Sequence, residues 1–172
     1  MKRVMIIGSC GAGKSTLSLK VQQRLGIALI HLDQLYWKPN WVESSKEEFR
    51  AKVAEAVKQD TWIMDGNYGS TLDIRLARAD TIVFLDLSRW VCLRRVIMRW
   101  ITNLNQTRSD MTEGCKEKLD LEFLHYIYTY PTNKRPKILN TLARLKPHQQ
   151  VYHLKNRQDI GEFLLKCQKG IA

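Results

Sequence analysis

The stretch Gly8-Ser9-Cys10-Gly11-Ala12-Gly13-Lys14-Ser15 constrains this chain more than any other. It satisfies G-x-x-x-x-G-K-[ST] at every fixed position, and its flanks have the matching pattern. The apolar run Val4 to Ile7 before it reads as a buried strand. From Lys14 onward, Leu17, Val21 and Leu25 recur at helical spacing, and Gly26 stops the helix. A strand that turns through glycines into a helix aims successive backbone N–H groups, and the positive end of the helix dipole, at one concavity. Glycine is required where the backbone must approach a ligand in conformations that a Cβ penalises. Such a cradle is expected to hold a polyphosphate. Gly8, Gly11, Ala12, Gly13 and Thr16 supply the wrapping backbone, Lys14 reaches the β and γ phosphates, and the Ser15 hydroxyl can ligate Mg2+. Cys10 reads as small and incidental, not as a nucleophile.

The rest of the chain continues the alternation. Ile27 to Leu32, Trp62 to Met64, Thr81 to Leu87 and Val151 to Leu154 read as further strands. Between them, Ser45 and Glu48 form a capping-box pattern ahead of a helix bearing Phe49, Val53 and Val57. Ser70 and Asp73 open another helix with Leu72 and Leu76 on one face. Ser88 can cap a long helix whose inward residues are predicted to be Trp90, Leu93, Ile97, Trp100 and Ile101. Residues 103–115 are polar and aperiodic, which suits a mobile loop. A helix with Leu119, Phe123, Tyr126, Ile127 and Tyr130 should stop at Pro131. Another with Ile138, Leu142 and Leu145 should stop before Pro147, and Ile160 to Cys167 closes the chain. Five strands alternating with helices predict one α/β domain over 1–172 with a parallel sheet. Ligands of such sheets bind at the carboxyl ends of the strands, so the loops after Ile7, Leu32, Met64 and Leu87 should surround the site.

Composition narrows the partners. The formal net charge of +11 implies an anionic ligand, whether nucleotide, phosphorylated metabolite or nucleic acid. The four cysteines are irregularly spaced and form no C-x-x-C pair, as expected of reduced thiols in the cytoplasm. No apolar run approaches membrane-spanning length, so no membrane partner is expected. A guanine-specific N-K-x-D is missing, since Asn133-Lys134-Arg135 ends in Pro136, and no D-x-x-G follows the third strand; both speak against a GTPase switch. The chain is short for a motor or helicase.

Phosphoryl transfer accommodates the remaining residues better. Asp65 ends an apolar strand, where a carboxylate would serve the metal; Asp86, ending the next strand, is its rival. Asp33 follows the second strand and can orient an acceptor hydroxyl and take its proton, or simply form a turn. Tyr36, Trp37, Trp41 and Tyr68 can stack on an acceptor ring or pack the acceptor segment onto the sheet. Arg95 and Arg99 share a helix face near Arg94 and Arg108, and can converge on a phosphoryl group or form a solvated surface.

Together these residues resemble the adenylate-kinase-like P-loop kinases of the nucleoside monophosphate kinase superfamily. More closely, GSCGAGKSTL, HLDQLYWKPNW, WIMDGNYGSTLDIRLARAD, FLDLSRWVCLRR and EGCKEKLDLEFLHYIYTYP resemble the bacterial family of DNA topology modulation proteins (FlaR type). The resemblance implies a P-loop NTPase fold with strand order 2-3-1-4-5, an acceptor-binding segment at about 33–60 and a lid at about 103–135. It implies ATP as phosphoryl donor with Mg2+, Asp65 at the metal, and Arg95 and Arg99 as lid arginines, with Arg135 a possible further one. Asn156 and Arg157 would lie near the adenine. The superfamily's D-G-F-P-R is replaced here by Asp65-Gly66-Asn67-Tyr68-Gly69, so the arginine that grips an AMP phosphate is missing there, and Arg75 and Arg78 are the candidates to substitute for it. The expected activity is transfer from Mg-ATP to a small acceptor. The alternative is a nucleotide-dependent DNA-binding regulator.

Overall fold

A computed structural model describes residues 1–104 and 106–168 of the chain. Its central strand, β1 (Arg3–Gly8), is flanked on one side by β5 (Trp62–Asp65) and then β2 (Leu29–His31). On the other side lie β6 (Thr81–Leu85) and β7 (Gln150–Leu154). All four pairings are parallel. Counted along the sheet strands alone this is the order 2-3-1-4-5, as expected.

Alternation along each strand sorts the apolar residues into two cores. Val4 and Ile6 of β1, Ile63 of β5 and Val83 of β6 face one side of the sheet. That side is covered by α1 (Lys14–Leu25), α5 (Arg89–Thr102), α6 (Leu121–Asn133) and α8 (Arg157–Gln168). Met5, Ile7, Trp62, Met64, Ile82 and Phe84 face the other. There they meet α3 (Lys46–Ala56), α4 (Leu72–Arg78) and α7 (Arg135–Leu142). Ser45 caps α3 by accepting from the Glu48 N–H at 3.1 Å. The Glu48 carboxylate pairs with Lys38 and Lys52 instead of reaching back, so only half of the capping box forms.

Four expectations need correction. The second strand ends at His31, and Leu32 starts a short helix, α2 (Leu32–Tyr36), because its side chain is wholly buried in the second core. What reads as a loop thus continues as α2, then a ribbon of β3 (Trp37–Lys38) and β4 (Val42–Glu43). The fourth strand ends at Leu85, so Asp86 and Leu87 lie past it. Helix α5 turns a different face inward: Cys92 and Val96 are buried, whereas Trp90, Ile97 and Ile101 are exposed. The cause is close approach, since a Cβ on Gly11 would sit 2.4 Å from the Cys92 carbonyl oxygen. A seam that tight admits only small side chains, and the bulky ones are displaced outward. Finally, Pro131 does not end α6. Its ring removes one i→i−4 bond, but the Lys134 N–H still reaches the Tyr130 carbonyl at 3.0 Å, and the helix runs on to Asn133. Residues 103–104 and 106–120 form no helix or extended strand, and carry isolated bridges Leu104–Glu117 and Thr107–Lys116.

Candidate active site

The glycine-rich turn between β1 and α1 has the backbone its sequence requires. Gly11 and Gly13 have φ of 77° and 98°, values that favour glycine. Gly8 is hemmed in as well, because a Cβ there would meet the Leu85 carbonyl oxygen at 2.4 Å. Gly13 occupies the N-cap position of α1 and no side chain caps the helix, so its first-turn amides, through Thr16, are free to serve an anion. Lys14 Nζ donates to the carbonyls of Gly8 at 3.0 Å and Ser9 at 3.2 Å, which stretches its side chain back over the turn. Burial pushes the Cys10 thiol up, although Lys14 opposes the shift; the side chain is a protonated spacer, not a nucleophile.

One residue that matters to this turn carries no sequence motif. Asn67 accepts from the Gly8 N–H at 2.9 Å and donates through Nδ2 to the Gly8 carbonyl at 2.6 Å. It therefore bonds the end of β1 in the manner of an extra strand. The only sequence signal is its place in the departure from D-G-F-P-R.

Three strand ends bring carboxylates to the same region. Asp65 alternates with Met64 and shares the sheet face of Ile63, the α1 side. It accepts from His31 Nδ1 at 2.8 Å. Burial opposes a proton on His31, but the Asp65 carboxylate outweighs it and the ring's pKa lies above its ordinary value. Asp33, at the start of α2, is held by the Tyr68 hydroxyl, which donates to Oδ1 at 2.5 Å. Burial pushes the Asp33 carboxyl up, against the lowering effects of Tyr68 and Lys14. Burial beside Asp33 likewise raises Tyr68, which stays a donor. Asp86 is committed elsewhere: Arg135 Nε reaches its two oxygens at 2.8 and 2.9 Å, and His153 Nε2 lies 2.7 Å from Oδ2. Burial raises the Asp86 carboxyl, yet Arg135 and His153 prevail and hold it below the usual range. Arg135 thus ties the α6–α7 turn to β6.

The arginines divide by position. Arg95 donates to the Ala12 carbonyl at 3.0 Å and lies against Gly13, on the glycine-rich turn itself. Arg99 pairs with Glu117 at 2.8 Å, and Arg108 bridges Glu117 at 2.8 Å and Asp110 at 3.2 Å. Both guanidiniums are close enough to lower the Cys10 thiol electrostatically, so the network borders the turn. Arg94 lies on the outer face of α5, beside Trp90 and Met98. Arg157 is exposed at the start of α8, just past the carboxyl end of β7, and Asn156 caps that helix by accepting from the Asp159 N–H at 2.9 Å.

Two acceptor-site expectations are corrected. Arg75 is wholly buried, and its guanidinium donates to the carbonyls of Gly66 at 3.0 Å and Tyr68 at 2.9 Å. It shapes the loop after β5 from behind and presents no donor to an acceptor. Arg78 contacts the Val57 carbonyl at 3.3 Å, at the amino end of β5 and hence the opposite edge of the sheet. The aromatic group does pack the acceptor segment: Tyr36 and Tyr68 lie 5.1 and 4.8 Å from Phe49 of α3. Trp37 and Trp41 form a pair on the ribbon at 5.2 Å. The ribbon is in turn joined to the loop 103–120. Gln34 donates to the Ser109 carbonyl at 2.9 Å, Thr112 to that of Trp37 at 2.6 Å, and Trp41 Nε1 to that of Lys116 at 2.9 Å.

Among the described residues no three His, Cys, Asp or Glu side chains gather as an all-protein metal cage. The oxygen donors Ser15 and Asp65 border the glycine-rich turn instead. That set fits magnesium, which keeps waters and takes one or two carboxylates beside phosphate oxygens. No helix among the described residues is long and apolar enough to cross a membrane.

No protein-family model and no curated protein matches the chain. Solved structures do. Shikimate kinase from Bacteroides thetaiotaomicron is 18% identical with a TM-score of 0.55, over 99% of this chain and 98% of that one. A sugar kinase from Janibacter sp. HTCC2649 is 15% identical with a TM-score of 0.53, over 98% and 93%. A putative kinase from Chloroflexus aurantiacus J-10-fl is 14% identical with a TM-score of 0.56, over the whole of both chains. These likenesses establish the fold alone: a five-stranded parallel sheet between helices.

Proposed function

We propose that the protein transfers the γ phosphoryl group of Mg-ATP to the hydroxyl of a small acceptor. The observation that carries this is the juxtaposition of two unlike parts: a phosphate cradle with Lys14 and Arg95, and a half-buried carboxylate, Asp33, whose pKa is raised and which Tyr68 holds by one oxygen. A raised carboxylate pKa brings a base nearer to working pH, where proton abstraction is most effective. Asp33 takes the acceptor's proton as the acceptor oxygen bonds to the γ phosphorus and the bond to the β-phosphate bridging oxygen breaks. The amides of Gly11 to Thr16 and Lys14 hold the donor phosphates, and Arg95 and Arg99, both on α5, offset charge on the transferring group. Ser15 and Asp65 would hold magnesium, which supplies charge neutralisation between the β and γ phosphates. Arg157 and Asn156 would border the base.

The clustering of Arg95, Arg99 and Arg108 at the cradle supports phosphoryl transfer over a DNA-tracking surface, which needs cations spread along an outer face. Four free cysteines fit a cytoplasmic setting. The adenylate-kinase-like assignment, and the DNA topology modulation family within it, belong to this proposal.

The test is ADP release from Mg-ATP across a panel of nucleosides, nucleotides, sugars and sugar acids. An acceptor that raises turnover well above hydrolysis is expected. Slow hydrolysis indifferent to every acceptor would refute the assignment.

A further inference from the structure

The charges around the acceptor side point to the class of acceptor. A site for a phosphate monoester or carboxylate needs guanidinium or ammonium groups free to face it, since an anion taken from water without a partner is costly. Among the described residues, most cations that border the acceptor segment are already engaged, and Lys118 lies over the Trp41 ring at 5.0 Å. Arg75 is wholly buried on loop carbonyls, and Arg78 stands at the far edge of the sheet. Arg50 forms a paired contact with Asp73 at 2.9 and 3.0 Å. Lys38 and Lys52 share Glu48 at 2.6 and 2.8 Å. Arg99 of α5 and Arg108 face Glu117 and Asp110, two positive charges against two negative ones. Of the carboxylates there, Asp65 is bonded to His31, whereas Asp33 is held by the Tyr68 hydroxyl, with Lys14 of the cradle as the cation acting on it.

Resting on the proposed phosphoryl transfer, we infer that the acceptor is an alcohol without a phosphate or carboxylate group, such as a nucleoside or an uncharged sugar. Asp33 repels an anionic acceptor at the point where its hydroxyl must approach the γ phosphate. A neutral acceptor instead finds a hydrogen-bond acceptor in the Asp33 carboxylate and a ring in Trp37 to lie against.

Matched pairs test this directly: nucleosides against their 5′-monophosphates, and aldoses against the corresponding uronic acids. Each is assayed for transfer from Mg-ATP, with nucleotide binding measured in parallel by calorimetry using a non-hydrolysable ATP analogue. The neutral member of the productive pair should have a kcat/KM at least tenfold above its anionic twin. Equal or better use of the anionic member overturns the inference, as does normal nucleotide binding with no neutral alcohol phosphorylated. Failure to bind the nucleotide analogue at all sinks the phosphoryl-transfer reading itself, and is thereby distinguished.

Discussion

Replacing Asn67 by alanine tests whether the glycine-rich turn is held from outside its own sequence. The side chain makes two bonds to Gly8, and their loss is unequal. The Gly8 carbonyl keeps its bond from Lys14 at 3.0 Å, so losing the Asn67 donor costs about 1 kcal/mol. The Gly8 N–H is buried at the end of a central strand and loses its partner, a cost of about 1–3 kcal/mol. Taking about 3 kcal/mol for the sum, Tm should fall by roughly 6–12 °C in a domain of this size. The loosened turn must then be ordered by its ligand, which should weaken Mg-ATP binding about tenfold, or about 1.4 kcal/mol. Asn67→Asp keeps an acceptor for the Gly8 N–H but turns a charged oxygen toward the carbonyl and the phosphates. It should retain more stability than Asn67→Ala and bind nucleotide less well. The assays are thermal unfolding and calorimetric titration. A Tm within about 1 °C of the parent, with unchanged nucleotide affinity, would refute the clamp.

Other substitutions have separate consequences. Arg75→Met leaves the Gly66 and Tyr68 carbonyls without their buried donor and should cost about 3 kcal/mol or more in urea unfolding, whereas Arg78→Ala should leave acceptor KM unchanged. Asp33→Asn should abolish transfer while stabilising the fold at neutral pH. A carboxyl whose folded pKa is raised loses stability as pH climbs from the unfolded toward the folded value, so this gain should vanish below about pH 4 in unfolding curves taken across pH. His31→Gln should show the pattern of a histidine with a raised pKa: its cost is larger near pH 6 than near pH 8.5, because the contribution of protonated His31 is lost as pH rises through the folded value.

The sheet was legible because alternation and glycine placement act locally: Val4 to Ile7 must be buried on both faces, and Gly26 must end α1. The phosphate cradle was legible for the same reason. What escaped depends on distance in space. Periodicity put Trp90 and Ile97 inside, but the contact of Gly11 with Cys92 sets the rotation of α5, and no helical wheel contains that contact. Arg75 looked like any helix cation; that its guanidinium is the donor for a loop seven to nine residues upstream follows only from the turn between β5 and α4. Asp33 and Asp65 were visible as strand-end carboxylates. The partners that tune them, Tyr68 and His31, come from a loop and a strand that meet them only in the folded chain.

Titration of the purified protein and of Lys14→Ala with Mg-ATP bears most directly on the cradle. A charge-assisted bond to phosphate is worth about 1.5–3 kcal/mol, so saturable binding by the parent should weaken roughly 10- to 150-fold in the variant. Equal affinity in the two proteins, or no saturable binding by either, would contradict the account.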